Sequence, residues 1–182
     1  MMTKCKFCKE PAAIKIQMAN YCGVECAYKQ ARKLQEQAKK RKEVKDNRLN
    51  AERKKALKTR AEWLKDAQSV FNRFIRLRDE AQPCISCQRH HLGQYHAGHY
   101  LTVGACPELR FNELNVNKQC APCNNHLSGN LINYRTHLLV KIGPKSLAAL
   151  EGKHEPLKLT IEQIKELIAT YKAKIKGHPT SN

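Results

Sequence analysis

The chain has 182 residues, in which 34 Lys and Arg outnumber 16 Asp and Glu to give a net charge of +18 and a pI near 9.7. Such an excess favours a polyanionic partner, because each basic side chain that neutralises a phosphate releases condensed counterions. No apolar run approaches the roughly 18 residues of a membrane span and the N-terminus lacks a signal-peptide core, so we predict a cytoplasmic protein with no membrane partner.

Four cysteines make the N-terminal segment a candidate metal module: Cys5, Cys8, Cys22 and Cys26. The sequence contains nine cysteines, and in a reducing compartment C-x-x-C spacing indicates thiolate metal ligands rather than disulfides. A segment of fewer than about 40 residues buries too little apolar surface to fold alone, so a metal would have to stabilise it. We therefore predict a structural zinc ion in a module of residues 1–28.

Residues 29–79 contain no proline or glycine and are rich in Lys, Arg, Glu, Gln and Ala, which predicts a helix. Between Lys29 and Lys65 there are 15 basic and five acidic residues. A charge run is most often a solvated helix face, but this one-sided surplus favours an arm that binds the DNA backbone. The candidate contacts are Lys39, Lys40, Arg41, Lys42, Arg53, Lys54 and Lys55. Apolar side chains such as Leu64 and Phe71 recur in the second half, which should pack on the next domain or on a second copy of the chain.

A second set of four cysteines lies in residues 80–152, where Gly, Pro, Asn and His become frequent: Cys84, Cys87, Cys120 and Cys123. Two C-x-x-C pairs roughly thirty residues apart indicate a tetrahedral zinc site in which thiolates fill every coordination position. Such a zinc ion is structural and does no chemistry. Cys106 is left over, and we interpret it as an ordinary small apolar residue.

Residues 153–182 predict a last helix and a disordered tail. Thr160 can cap this helix, and Gln163 can complete a capping box. Its apolar face is expected to be core and comprises Ile161, Ile164, Leu167, Ile168 and Tyr171. The chain as a whole is predicted to be an α+β protein with a small N-terminal zinc module, a long basic helix, a zinc-stapled core and a C-terminal helix.

The motifs around the second cysteine set resemble those of the HNH, or His-Me finger, nucleases. In their zinc-stapled variety a C-x-x-C pair, a histidine and a C-x-x-C-N motif follow one another in the same order as in this chain. The motifs HAGHY and CNNHLSGN, together with the upstream basic helix and the N-terminal cysteines, further resemble the NinG or Rap family of lambdoid phage recombination nucleases. The resemblance implies a ββα-metal nuclease core over residues 80–152.

The resemblance also implies roles for individual residues. His99 takes the place of the general base, Asn115 that of an amide that steadies the hairpin and the base, and Asn124 that of a ligand for a catalytic Mg²⁺ or Mn²⁺. Many HNH sites carry a second ligand, Asp or His, directly before the base, whereas this chain has Gly98. His96 would serve instead if the strand were bulged at Gly98 and the residue before it. Otherwise His96 is a hairpin histidine that contacts a phosphate.

What the resemblance implies about function is a structure-selective DNA endonuclease that cuts branched recombination intermediates, such as Holliday junctions and D-loops, in the bacterial host of a phage. Phage or host recombination proteins are candidate partners, and a homodimer is a candidate assembly. One alternative is a non-catalytic zinc protein that binds nucleic acid through the basic helix. Another is a phage regulator that acts on RNA or on the transcription machinery. The joint presence of His99, Asn115 and Asn124 favours the nuclease, because zinc binding requires none of them.

Overall fold

The computed structural model describes residues 3–16 and 18–178. They form a mixed α+β structure that divides into two compact units between Lys58 and Thr59. The first unit contains β1 (Ile14–Ile16), β2 (Ala19–Tyr21) and α1 (Val24–Ala56). The second contains α2 (Arg60–Arg78), β3 (Tyr95–His99), β4 (Val116–Cys120), α3 (Leu131–Glu151) and α4 (Ile161–Gly177). It also has a short 3₁₀ helix, Pro107–Leu109, and a π-helical turn, Pro122–His126. Most of the predicted disordered tail, residues 179–182, lies outside the described residues. No helix in the described part of the chain is long and apolar enough to cross a membrane.

The first unit is a cysteine-rich hairpin followed by the long helix α1. β1 and β2 pair antiparallel with Ile14 opposite Tyr21. Within its described residues the buried hydrophobic side chains are Cys5 and Tyr21, and α1 buries none. So small a core cannot offset the conformational entropy of the hairpin, which is the physical reason for expecting a metal to stabilise it.

The prediction of one helix over residues 29–79 is wrong in its middle, because α1 ends at Ala56 and α2 starts at Arg60. Thr59 is extended, and its side chain accepts a hydrogen bond from the Glu62 N–H while its own N–H donates to the Glu62 carboxylate over 2.7 Å. This capping box starts a new helix. α2 packs against α4, so the residues from Arg60 onward belong to the second unit and not to the basic arm.

α2, α4 and the β3–β4 hairpin share one apolar interior. The rings of Phe71 and Tyr171 meet edge to face with centroids 4.9 Å apart, and Val116 of β4 lies in the same cluster. Further buried side chains of this interior are Trp63, Ala67, Phe74, Ile75, Ile164 and Ile168. The predicted core face of the last helix is confirmed, and so is its capping box between Thr160 and Gln163. The apolar half of the predicted basic helix thus packs within its own chain.

α3 was not predicted, because Gly143 and Pro144 interrupt its helical sequence pattern. Gly143 takes a φ of 78°, a left-handed conformation that glycine adopts without a steric penalty. Pro144 then begins a second helical stretch, at a position where its missing N–H has no helical partner to lose. α3 buries Tyr134 and Leu138 in a cluster with Tyr100, which follows β3. α3 therefore packs against the end of β3.

Candidate functional site

Each cysteine quartet brings four sulfur atoms within 4.8 Å of one another. A tetrahedral Zn²⁺ ion with Zn–S bonds of about 2.3 Å separates its sulfurs by about 3.8 Å. In the N-terminal quartet, Cys8 Sγ lies 3.5 Å from Cys22 Sγ and 3.8 Å from Cys26 Sγ. In the second quartet, Cys87 Sγ lies 3.9 Å from Cys120 Sγ. Both predicted quartets therefore have the geometry to hold zinc.

The second quartet, which we call the core cluster, receives N–H donors from its surroundings. The backbone N–H of Cys120 donates to Cys84 Sγ over 3.3 Å. The side-chain amide of Asn130 donates to Cys123 Sγ over 3.6 Å. Four thiolates give a zinc site a net negative charge, and donors of this kind stabilise that charge. The surroundings of the core cluster are those expected of a thiolate site.

His91 lies beside the core cluster, a position that was not predicted for it. Its Nε2 atom is 3.2 Å from Cys87 Sγ, and its backbone N–H donates to the Tyr95 hydroxyl over 2.6 Å. An imidazole N–H at this distance can donate to a thiolate. The signal in the sequence was the short spacing of four residues between Cys87 and His91.

His99 ends β3 with its imidazole ring held by the backbone. Its Nε2 atom lies 3.0 Å from the carbonyl oxygen of Arg110. Because a carbonyl oxygen only accepts hydrogen bonds, Nε2 carries the proton and Nδ1 of the neutral ring keeps a lone pair. Burial lowers the pKa of His99 below its ordinary value, and the charge of Arg110 acts in the same direction, while the carbonyl contact opposes them. The ring is therefore neutral at physiological pH and has a free basic nitrogen.

Asn115 is fully buried directly before β4 and holds the loop between the two strands. Its side-chain Oδ1 accepts from the Leu101 N–H over 2.8 Å, and its Nδ2 donates to the Leu101 carbonyl over 3.0 Å and to the Leu109 carbonyl over 3.2 Å. The Tyr100 N–H donates to the Asn115 backbone carbonyl over 2.8 Å. Asn115 thereby holds the start of this loop and the residue directly before Arg110. These contacts suit a residue that positions the Arg110 carbonyl and does not touch the substrate.

One surface pocket of about 320 Å³ contains both His99 and Asn124. The rest of its lining is Ala97, Thr102, Val103, Ser128, Gly129 and Leu131. Asn124 lies in the π-helical turn, and its Nδ2 donates to Asn125 Oδ1 over 2.7 Å. The Oδ1 oxygen of Asn124 makes no hydrogen bond with the described residues, so it is available to a cation. The structure thus brings a neutral imidazole and a free amide oxygen into one cavity.

His96 does not join this pocket, and the condition for its predicted role as a ligand is not met. That role required a bulge in β3, but β3 and β4 pair residue to residue along their whole length. Because strand side chains alternate between the two faces of a sheet, His96 and His99 point to opposite sides. The Nε2 atom of His96 is buried and has no hydrogen-bond partner within the described part of the chain. Because His96 Nε2 is enclosed, the structure also gives no support to the alternative role of His96, a contact with a DNA phosphate.

Gly98 leaves no room for a ligand side chain directly before His99. A Cβ atom added at Gly98 would lie 2.1 Å from Oε1 of Gln119. The carbonyl oxygen of Gly98 accepts a hydrogen bond from the Tyr134 hydroxyl over 2.9 Å, which anchors this strand end to α3. The departure from the HNH pattern at this position therefore has a packing cause.

The seven candidate DNA-binding residues all lie on exposed turns of α1, in the first unit. This helix carries 12 basic and five acidic residues. Glu25 pairs with Lys29 over 2.7 Å and Glu52 pairs with Arg48 over 3.1 Å. The seven candidates form no ion pair with any described residue, so their charges are available to a polyanion.

The chain matches the family model described as "NinG: Bacteriophage Lambda NinG protein" over residues 1–179. It belongs to the NinG family. Its relatives include the proteins named "Protein ninG" of Escherichia phage lambda, Salmonella phage P22 and Escherichia phage 933W, which are 48%, 47% and 46% identical over 124 residues. This stretch is 68% of the present chain, 61% of the lambda and P22 proteins and 62% of the 933W protein. The chain therefore spans about three fifths of the length of the curated NinG relatives it matches. No solved structure matches it.

Proposed function

We propose that this NinG-family protein is a metal-dependent endodeoxyribonuclease of the HNH type that cuts branched DNA. The observation that carries the proposal is the pocket shared by His99 and Asn124, with a lone pair on His99 Nδ1 and an unpaired Oδ1 on Asn124. Neither cysteine cluster requires such a pocket. A base and an oxygen ligand on a hairpin and a helical turn are the arrangement that the HNH resemblance implies.

In the proposed reaction His99 acts as the general base. Its Nδ1 takes a proton from a water molecule, whose oxygen then bonds to phosphorus as the bond between phosphorus and the 3′ oxygen breaks. The 3′ oxygen is protonated from solvent, so the products carry a 5′ phosphate and a 3′ hydroxyl. The Arg110 carbonyl keeps the proton of the resting ring on Nε2 and orients Nδ1 for this task.

The proposed cofactor at this pocket is Mg²⁺ or Mn²⁺, which would neutralise charge on the scissile phosphate and on the leaving oxygen. Asn124 Oδ1 is a hard oxygen donor of the kind these ions prefer. The pocket lining contains no carboxylate. Water and phosphate oxygens would therefore complete the coordination, and we expect the cation to bind weakly without DNA.

We assign a purely structural role to zinc at both cysteine clusters. Four thiolates fill the coordination sphere and leave no position for a substrate or a reactive water. At the core cluster, zinc would join the turn that contains Cys84 and Cys87, the end of β4 and the π-helical turn that carries Asn124.

Binding of the DNA is proposed to depend on α1, whose seven candidate basic residues would contact phosphates. Phosphate contacts position a protein without reading base sequence, which suits a nuclease that selects branched shapes. Symmetric cleavage of a four-way junction needs two active sites, and hence a homodimer. Phage or host recombination proteins in the host cytoplasm are the proposed further partners.

A second candidate function is a non-catalytic zinc protein that binds branched DNA. The pocket lining favours it in one respect, because Asn124 is the sole amide or acidic oxygen ligand among the described residues around His99. The two functions share the clusters and the basic helix and differ in the need for His99.

The deciding experiment is cleavage of a synthetic four-way junction by the full chain. We expect cuts with Mg²⁺ or Mn²⁺, none with EDTA, and weaker cleavage of a linear duplex of the same sequence. Tight binding of the junction without any cleavage under these conditions would favour the non-catalytic protein.

A further inference from the structure

The segment of residues 127–131, which we call the strap, connects the π-helical turn to α3. Ser128, Gly129 and Leu131 line the pocket of His99. Three consecutive strap residues have positive φ angles: Ser128 at 47°, Gly129 at 86° and Asn130 at 45°. This conformation is unfavourable for residues with a Cβ atom, so contacts from elsewhere must hold the strap.

Those contacts come from residues in or next to the core cluster. Ser86, which lies between two cysteines of the cluster, donates through Oγ to the Gly129 carbonyl over 3.2 Å, and Gln119, which precedes another, donates through Nε2 to the same oxygen over 2.5 Å. The Gly129 N–H donates to the Cys123 carbonyl over 3.0 Å. The Asn130 amide reaches the sulfur of Cys123 itself over 3.6 Å. The Gly129 carbonyl, the Gly129 N–H and the Asn130 amide N–H are thus all held by segments that a zinc ion would tie together.

We propose that zinc at the core cluster sets the shape of the His99 pocket through the strap, with Asn130 as the positioning residue. The proposal rests on the zinc part of the proposed function. A zinc-bound Cys123 is a thiolate, and an amide donates to it in a charge-assisted hydrogen bond. A free thiol is only a weak acceptor, so loss of the metal also weakens the contact with Asn130. Zinc occupancy and the order of the pocket wall are therefore coupled in both directions.

A competing explanation is that Asn130 is present only because asparagine tolerates a left-handed backbone. Asn130→Gly separates the two explanations, because glycine keeps the backbone conformation and removes the amide. We expect release of zinc from the core cluster to become roughly tenfold faster, since hydrogen bonds to charged groups are commonly of that strength. Asn130→Asp, which replaces the donor by a carboxylate beside the thiolate, should release zinc faster still. The matched control is Asn133→Ala, which removes a hydrogen bond of 2.9 Å to Asn130 Oδ1 but no contact with sulfur.

Zinc release from the whole 182-residue chain is followed with a chromogenic chelator. The phase that belongs to the N-terminal quartet is identified as the one that Cys8→Ser removes. In parallel, amide hydrogen exchange is measured over residues 127–131. The proposal expects faster release and faster strap exchange in Asn130→Gly, with Asn133→Ala like wild type. If Asn130→Gly fails to fold, Ser86→Ala takes its place and should speed strap exchange.

Wild-type release and exchange rates in folded Asn130→Gly would overturn the coupling and leave the zinc proposal standing. A wild-type protein without zinc at the core cluster would overturn the zinc proposal itself. Nuclease activity enters neither measurement, so failure of the proposed cleavage function is recognised separately.

Discussion

The two cysteine clusters have the same ligand set and very different surroundings. In the N-terminal quartet Cys5 is buried, Cys8 is exposed and the other two are half-buried, and the described first unit adds Tyr21 as a buried hydrophobic side chain. In the core cluster three of the four cysteines are buried beside an extensive apolar interior. A metal in the first unit would replace a core, whereas a metal in the second would connect a core to a pocket. Although the two ligand sets are identical, their different surroundings predict different consequences of metal loss.

The largest expected effect is on the N-terminal hairpin, where Cys8→Ala should abolish zinc binding and structure together. Structural zinc sites supply an apparent binding free energy of about 10 to 16 kcal/mol, and little else in this unit opposes unfolding. Amide exchange of residues 3–22 should approach that of an unfolded chain, while α2 and α4 remain protected. A protected hairpin in zinc-free Cys8→Ala would show that the first unit does not need a metal to fold.

The matched change in the second unit is Cys120→Ala. We expect loss of one zinc ion, rapid exchange in the β3–β4 hairpin and loss of cleavage, because the segments around Asn124 lose their anchor. The contact between Phe71 and Tyr171 does not depend on the cluster, so the α2–α4 interface should keep its exchange protection. Complete unfolding of the second unit would mean that its apolar interior is not sufficient alone.

His99→Ala should remove cleavage and leave both zinc ions and DNA affinity in place. Loss of a general base commonly lowers the rate by about 10² to 10⁴. Asn124→Ala should resemble it, but with activity partly recovered at high Mn²⁺ concentration if the amide binds the cation. Junction cleavage, junction binding and zinc content are measured on each variant. Undiminished cleavage by folded His99→Ala would remove His99 from the mechanism.

The sequence was informative where local chemistry requires particular residues at fixed spacings along the chain. The cysteine spacings predicted two sulfur clusters, and the structure brings each together. Thr160 and Gln163 predicted a helix start because a capping box is a local interaction. The resemblance also grouped His99 with Asn124, which the structure brings into one pocket.

The sequence was less informative where tertiary contacts decide the structure. Thr59 and Glu62 end one helix and begin another inside a stretch with no proline or glycine, and only the packing of α2 on α4 makes that break consequential. A bulge at Ala97 and Gly98 was a reasonable hypothesis, but both residues pair regularly with β4. The Gln119 side chain of the opposite strand lies where a side chain at position 98 would be. Such cross-strand contacts are not visible in a single sequence.

A smaller expected effect concerns the arm in the first unit. Replacing Arg53, Lys54 and Lys55 by Gln should weaken junction binding and flatten its salt dependence. The slope of log affinity against log salt falls by about 0.9 for each duplex phosphate contact that is lost. The control removes the same charge from exposed positions of the second unit: Lys153, Lys172 and Lys176. Equal changes in both triple variants would show that net charge, and not α1, attracts the DNA.

The smallest expected effect is a shift in the pH profile of cleavage. The pKa of His99 lies below its ordinary value, so the neutral base persists to lower pH than it does in an ordinary histidine. As a general base, His99 is active when deprotonated, so kcat/KM should fall as the pH falls through this lowered pKa and reach a plateau above it. The acid limb of wild type should therefore lie below about pH 6.5, the value of an unperturbed imidazole.

Arg110→Gln tests why the acid limb of the pH profile lies at low pH. The substitution keeps the backbone carbonyl of residue 110 that holds the His99 ring. The positive charge of Arg110 disfavours the imidazolium ion, so its removal should raise the pKa of His99 and move the acid limb to higher pH. Burial, the larger cause, remains, so the limb should stay below that of a solvent-exposed histidine. Arg76→Gln removes the same charge from an exposed position of α2 and should leave the limb in place. If both variants shift the limb equally, or neither does, the group that titrates in cleavage is not a histidine beside Arg110.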